Sequence, residues 1–232
     1  MSITKVNSDI RASFGYGLLY SQISFPITLS FAPSAGNLLC IAVYLAGSIG
    51  APSGLMAFSG TAGGSGPWYA SGGAGGSSDH IGVFTGAAFC AGSPSTGVEV
   101  LFSGNPVGYN WSLGYVAWEF AGVTASPGLQ ASAGTINNLS VGPITAVGGG
   151  VVMAVGVCDG GNMTAPGAPY NDAVNGYQSA AWQASSASPF SAVFGNPGGT
   201  SLFYGAGLAA YGVTGGAAEY ATAGVTYAVG GP

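Results

Sequence analysis

Charge is what this sequence has least of. Only 4% of its 232 residues are Asp, Glu, Lys or Arg, against roughly 25% in an ordinary soluble protein. Seven acids face two bases, Lys5 and Arg11, for a net charge of −5. A nucleic-acid binder needs a basic footprint to neutralise phosphates, so no nucleic-acid partner is expected. An anionic membrane surface is disfavoured for the same reason. So few titratable groups also imply that folding couples weakly to pH. Histidine occurs once, at His80 after Asp79. No G-x-S-x-G elbow accompanies it, so a Ser-His-Asp hydrolase lacks its nucleophile signature. The cysteines are Cys40, Cys90 and Cys158, an odd number with no CxxC or Cys/His spacing. They read as small buried hydrophobes. A Cys40–Cys158 bridge stays open if the apolar runs around them are neighbours.

Helix-compatible sequence is scarce too. Only two windows longer than ten residues lack both Gly and Pro, Met1 to Phe14 and Tyr177 to Ser188. Neither has good helical periodicity. Met1-Ser2-Ile3-Thr4-Lys5-Val6 has no apolar h-region, so no secretory signal peptide is expected. The product is expected to be made in a cytoplasm, and to stay there or leave by a route such as particle release.

What the sequence has is glycine, 44 residues of it, with 13 prolines. Hydrophobic residues make up 48% and aromatics 12%. That content favours a packed fold over disorder, and the glycines have no three-residue period, which excludes collagen. Short strands joined by Gly/Pro/Ser turns are expected throughout. The chain is organised around Gly36 to Gly47, an unbroken apolar run bounded by glycine that reads as a buried strand. A second version spans Gly149 to Cys158. Further strands are expected at Ile3 to Val6, 24–31, 80–85, 98–102, 114–121, 177–184, 190–194, 200–211 and 225–229. Residues 47–79 are the least regular.

The second apolar run opens a looser repeat of the first half. Gly36 matches Gly149, and Ala121-Gly122-Val123-Thr124 matches Tyr211-Gly212-Val213-Thr214. The predicted fold is all-β: one domain over 1–232, an antiparallel two-sheet sandwich, jelly-roll-like. It is built from two pseudo-repeated four-strand halves, about 24–124 and 141–214. The first half is longer by roughly the Gly-rich stretch 60–78, which reads as a loop insert. Pro67-Trp68-Tyr69 sits inside it. An aromatic pair there either plugs into the protein's own surface or contacts a partner.

Few residues invite chemistry. Glu99 and Glu119 make a conceivable glycosidase-type carboxylate pair, but each falls on the expected polar face of an amphipathic strand, the place for a solvated acid. Asp159, Asn162 and Asp172 could supply oxygens to calcium, without EF-hand spacing. Turn chemistry accounts for Asp159-Gly160 equally well. The Gly72 to Gly76 run lacks the Lys and Ser/Thr of a phosphate loop. Asn110, Asn138 and Asn162 head formal glycosylation sequons. No catalytic, cofactor-binding or metal-binding residue is assigned, and no cofactor is expected. Trp68, Tyr69, Tyr109 and Trp111 are the interface candidates.

Pro33-Ser34-Ala35-Gly36-Asn37-Leu38-Leu39-Cys40-Ile41-Ala42-Val43 resembles the P-x-A-G-(D/N)-L-L-V-V-x-V opening of a β-sandwich module. That module occurs in tailed-bacteriophage virion proteins and in some bacterial surface proteins. Trp118-Glu119-Phe120-Ala121-Gly122-Val123 is similar to the (L/Y)-E-(Y/F)-x-G-V strand end of the same family. Val141-Gly142-Pro143-Ile144-Thr145 fits its second half. The P-P-A-G-W turn is matched only approximately, at 51–55 and 165–169. The resemblance implies a fold and a virion context, and no active site. The expected function is therefore a non-enzymatic virion structural protein, a capsid decoration or minor tail component. Its partners would be copies of itself and other virion proteins, with no membrane. A surface this poor in charge suits life within an assembly. The alternative is a carbohydrate-binding adhesin or receptor-binding module, using the same aromatics on sugar rings.

Overall fold

The computed structural model describes residues 2–16, 24–47, 56–75, 81–102, 111–123, 129–136, 138–146, 148–158, 161–176, 178–185, 189–195 and 204–212. Among the described residues the chain is all-β, with one 3-10 turn at Thr61–Gly63. Eight strands precede residue 124: β1 Thr4–Tyr16, β2 Ser24–Thr28, β3 Leu38–Gly47, β4 Met56–Ser59, β5 Trp68–Gly75, β6 Ile81–Phe89, β7 Gly97–Phe102 and β8 Trp111–Ala121. Seven follow: β9 Leu129–Ile136, β10 Ser140–Thr145, β11 Val151–Cys158, β12 Asn171–Val174, β13 Gln178–Ala184, β14 Pro189–Val193 and β15 Tyr204–Tyr211.

Four antiparallel sheets result, in the orders β1-β8-β3-β6-β5, β2-β7-β4, β12-β13-β11-β15-β9 and β10-β14. The expected all-β sandwich is present, with more strands and layers than two four-strand halves. Each half is itself a sandwich, one five-stranded sheet backed by a smaller one. Written from the other end, the second large sheet reads β9-β15-β11-β13-β12. It repeats the first strand for strand, and β4 has no counterpart among the described residues. In each half the pairing is nested, first strand with last, second with next to last: β1 with β8 and β2 with β7, then β9 with β15 and β10 with β14.

The two large sheets pack back to back, and this explains the unbroken apolar runs. On β3, Leu39, Ile41 and Val43 enter the first sandwich's own core, with Phe25, Phe58 and Val100. Leu38, Cys40, Ala42 and Tyr44 point the other way, into a central core shared with Val151, Met153, Val155 and Val157 of β11. Val152, Ala154 and Cys158 of β11 enter the second sandwich's core. Both strands are buried on both faces, so neither alternates with polar residues. Each fully buried Leu, Ile or Val adds about 1.5–3 kcal/mol. Hydrogen bonds also cross the central core: Tyr44 donates to the Ser179 carbonyl at 3.1 Å, and Thr85 Oγ1 lies 2.6 Å from the Tyr211 hydroxyl.

The repeated glycines have a shared cause. Gly36 and Gly149 precede the two central strands with φ of 89° and 98°, and Gly122 and Gly212 follow β8 and β15 with φ of 78° and 81°. These are left-handed conformations that disfavour any Cβ.

Of residues 60–78, expected as a loop insert, the described part, 60–75, is built into the frame instead. They hold the 3-10 turn and β5, an edge strand whose counterpart is β12. Gly60 to Ser78 looks like linker because three of the eight residues of β5 are glycine and, among the described residues, it pairs on one side only. The expected strand 225–229 lies outside the described residues.

Candidate functional site

Four of the seven acids fall in the described residues, and each is engaged within the fold. Glu119 is the clearest case. It was expected on a solvated face, and it is fully buried. The ladder sets it beside Leu39 on one side and Asn7 on the other. Asn7 Nδ2 donates to one carboxylate oxygen at 2.5 Å. The Ser34 backbone N–H and Asn37 Nδ2 donate to the other at 2.7 and 2.6 Å. A buried carboxylate needs such donors to offset lost hydration. The result pins the 33–37 turn and β1 to the end of β8.

Asp9 does a similar job one step along β1. Its Oδ2 accepts from the Ser30 N–H at 2.7 Å and from the Tyr115 hydroxyl at 2.9 Å. Burial, then the bond and charge of Asp9, push the Tyr115 phenol well above its ordinary range against the opposing pull of Arg11. Glu99, on β7, lies 3.5 Å from the Ser59 hydroxyl. It belongs to the small outer sheet and Glu119 to the large one. The suggested carboxylate pair is thus placed on two different sheets.

Asp172 links the two sandwiches. It accepts from Trp182 Nε1 at 2.5 Å and pairs with Lys5 Nζ at 3.0 Å. Partial burial pushes its carboxyl up, but the Trp182 bond and the Lys5 bond and charge outweigh this and hold it below the usual value. Its φ of 53° is one an Asp tolerates better than most residues. As a calcium ligand it already has a cation. Asp159, its suggested partner, lies outside the described residues, and Asn162 is exposed. Among the described residues no three His, Cys, Asp or Glu side chains gather as a metal site would require.

Trp68 heads β5 with its indole half-buried against the first sandwich's core. It stacks on Phe58 with centroids 6.2 Å apart and planes 15° apart, and its Nε1 donates to the Gly60 carbonyl at 3.3 Å. These contacts are intramolecular, and part of the indole stays exposed. Tyr69 packs at the margin of the central core. Tyr109 lies outside the described residues, as do His80 and Asp79, and of Trp111 only the backbone, at the start of β8, is described.

The three cysteines are buried, and none is joined in a disulfide. Cys40 is in the central core and Cys158 in the second sandwich's core, on opposite faces of the sheet that holds β11. The bridge left open by the sequence is not formed. Burial, aided by the nearby Cys90, raises the Cys40 thiol. Cys90 is pushed up to about 11, first by burial, with a hydrogen bond from the Leu39 backbone opposing and Glu119 adding. Neither thiol is poised as a nucleophile.

The Asn7, Ser34 and Asn37 cradle was invisible to pattern reading, because its members are 112, 85 and 82 residues from Glu119. The available signal was Asn37 and Glu119 standing at fixed places in the two family-like motifs. Comparison of the chain with protein-family models, with curated proteins and with solved structures returns no match.

Proposed function

We propose that this protein is a non-enzymatic structural component of a virion, a capsid decoration or minor tail protein that self-associates and docks on other coat proteins. The observation that carries this is the use of charge. Asp9, Glu99, Glu119 and Asp172 all hold the protein's own frame together. What they tie down is a stack of sheets. Two further features support it. The stretches resembling the phage module, 33–43 and 118–123, meet in space, with Ser34 and Asn37 of one donating to Glu119 of the other. The nested pairing of both halves is the order given by rolling up a long hairpin, so each sandwich fits a jelly roll.

The purified chain should associate with itself on size-exclusion with light scattering, and should bind isolated capsids or tails. A well-behaved monomer with no affinity for either overturns the proposal. The adhesin alternative has Trp68 only half-buried. Specific binding on a glycan array, abolished by Trp111→Ala, would support it.

A further inference from the structure

Asparagine is followed by glycine once in the sequence, at Asn175-Gly176. In this dipeptide the carboxamide is unusually open to attack by its own backbone, because glycine has no side chain to shield its nitrogen and turns freely. The pair directly follows β12, and Asn175 is exposed. Both residues are tied to one neighbouring stretch, 163–165. The Gly176 N–H donates to the Met163 carbonyl at 3.0 Å, and the Met163 N–H returns a bond to the Gly176 carbonyl at 2.9 Å. The Ala165 N–H donates to Asn175 Oδ1 at 2.8 Å. Met163 and Ala165 are buried, and the buried Ser179 hydroxyl donates to the Met163 carbonyl at 2.7 Å, bracing this clasp from behind.

We infer that Asn175 is a modification site guarded by the clasp: spontaneous deamidation at 175 proceeds only when its contacts with 163–165 open. In the reaction the Gly176 nitrogen attacks Asn175 Cγ, loses its proton to water and expels ammonia, closing a succinimide ring. A water molecule then opens the ring at either carbonyl, leaving aspartate or isoaspartate. Nothing is oxidised or reduced, and water is the one co-reactant. The clasp opposes ring closure in two ways. It engages the N–H that has to be given up, and it fixes the carboxamide that has to turn toward that nitrogen. Local opening is fast and ring closure slow, so the rate follows the open population. The isoaspartyl product is also incompatible with the clasp. It routes the backbone through the side chain and adds a methylene between 175 and 176, so the paired bonds between Met163 and Gly176 cannot both re-form.

Peptide mass spectrometry of the aged full-length protein, with isoaspartate assigned by residue, tests this. Conversion at 175 in the native protein should be about tenfold or more slower than in the same chain unfolded in guanidinium chloride at equal pH. In the unfolded chain it should outpace every other asparagine. Ser179→Ala removes the brace and leaves the Asn-Gly chemistry intact. It should speed native conversion about fivefold, leave the unfolded rate unchanged, and raise exchange of the Gly176 amide by the same factor. Equal rates in the native and unfolded chains overturn the inference, as does a Ser179→Ala rate equal to that of the native protein. Should Ser179→Ala fail to fold, guanidinium below the unfolding transition takes its place. Conversion at 175 and exchange of the Gly176 amide must then rise together, and a rise in one alone overturns the inference.

Discussion

The two sandwiches share a frame and close its rim by different means. In both, the residue before the central strand accepts the same backbone bond: Cys90 N–H to Asn37 in the first at 2.8 Å, Ser185 N–H to Gly150 in the second at 2.6 Å. The ladders likewise set Glu119 opposite Leu39 and Ala210 opposite Val152. The first rim therefore has Asn37 and Glu119 where the second has Gly150 and Ala210. One rim is held by a buried carboxylate with three donors. The other is held by close backbone approach, with a Cβ on Gly150 falling 2.0 Å from the Gly212 oxygen. The Gly150 N–H also donates to Ser185 Oγ at 2.8 Å. A charge-poor chain can thus build the same joint with or without a charge, and where it has one, that charge serves the fold.

The largest way to break this comparison is Glu119→Ala. It strands Asn7, the Ser34 N–H and Asn37 at a buried site, and should cost about 3 kcal/mol in urea unfolding. Ala210→Ser, at the matching place in the second sandwich, should cost far less. Next comes Gly150→Ala. Its Cβ meets backbone that cannot swing aside, so about 2–3 kcal/mol is expected, whereas position 37 already carries a side chain. Trp68→Ala follows, at about 2 kcal/mol, less than a fully buried Trp because the indole is half-exposed. An unchanged melting temperature there would favour an interface role for Trp68 over a packing one. Lys5→Met should be the mildest, within about 1 kcal/mol, since the pair with Asp172 is substantially exposed. The sign with pH is fixed by Asp172, whose folded carboxyl is depressed. Its contribution is complete above the unfolded carboxyl value of about 3.9 and is lost as pH falls below it. In Lys5→Met that acid loss should shrink.

The parts legible in the sequence were those with one strong cause. β3 and β11 showed as apolar runs because both of their faces are buried, and the glycine pairs showed because left-handed turns need them. β8 was half legible. Its alternation correctly divides Tyr115, Ala117 and Glu119 from Val116, Trp118 and Phe120. The inference of a wet face failed because β8, too, lies between two cores. β5 and β9 were not legible, since glycine- and alanine-rich edge strands lack a hydrophobic period. The repeat was also read one residue out of register at its far end. Matching Gly122 to Gly212 pairs Tyr211 with Ala121, yet it is Phe120 that faces Leu38 as Tyr211 faces Val151. Polar joints such as Asp172 with Lys5 and Trp182 depend on contacts between halves, which local pattern cannot supply.

The central claim is that two sandwiches share one core through β3 and β11 and so form a single cooperative unit. Native-state hydrogen exchange of the amides in these two strands tests it most directly. Both sets should exchange only by global unfolding, with the same free energy and the same denaturant dependence. A distinctly lower opening free energy for either strand would mean that one sandwich unfolds while the other stands, and would contradict it.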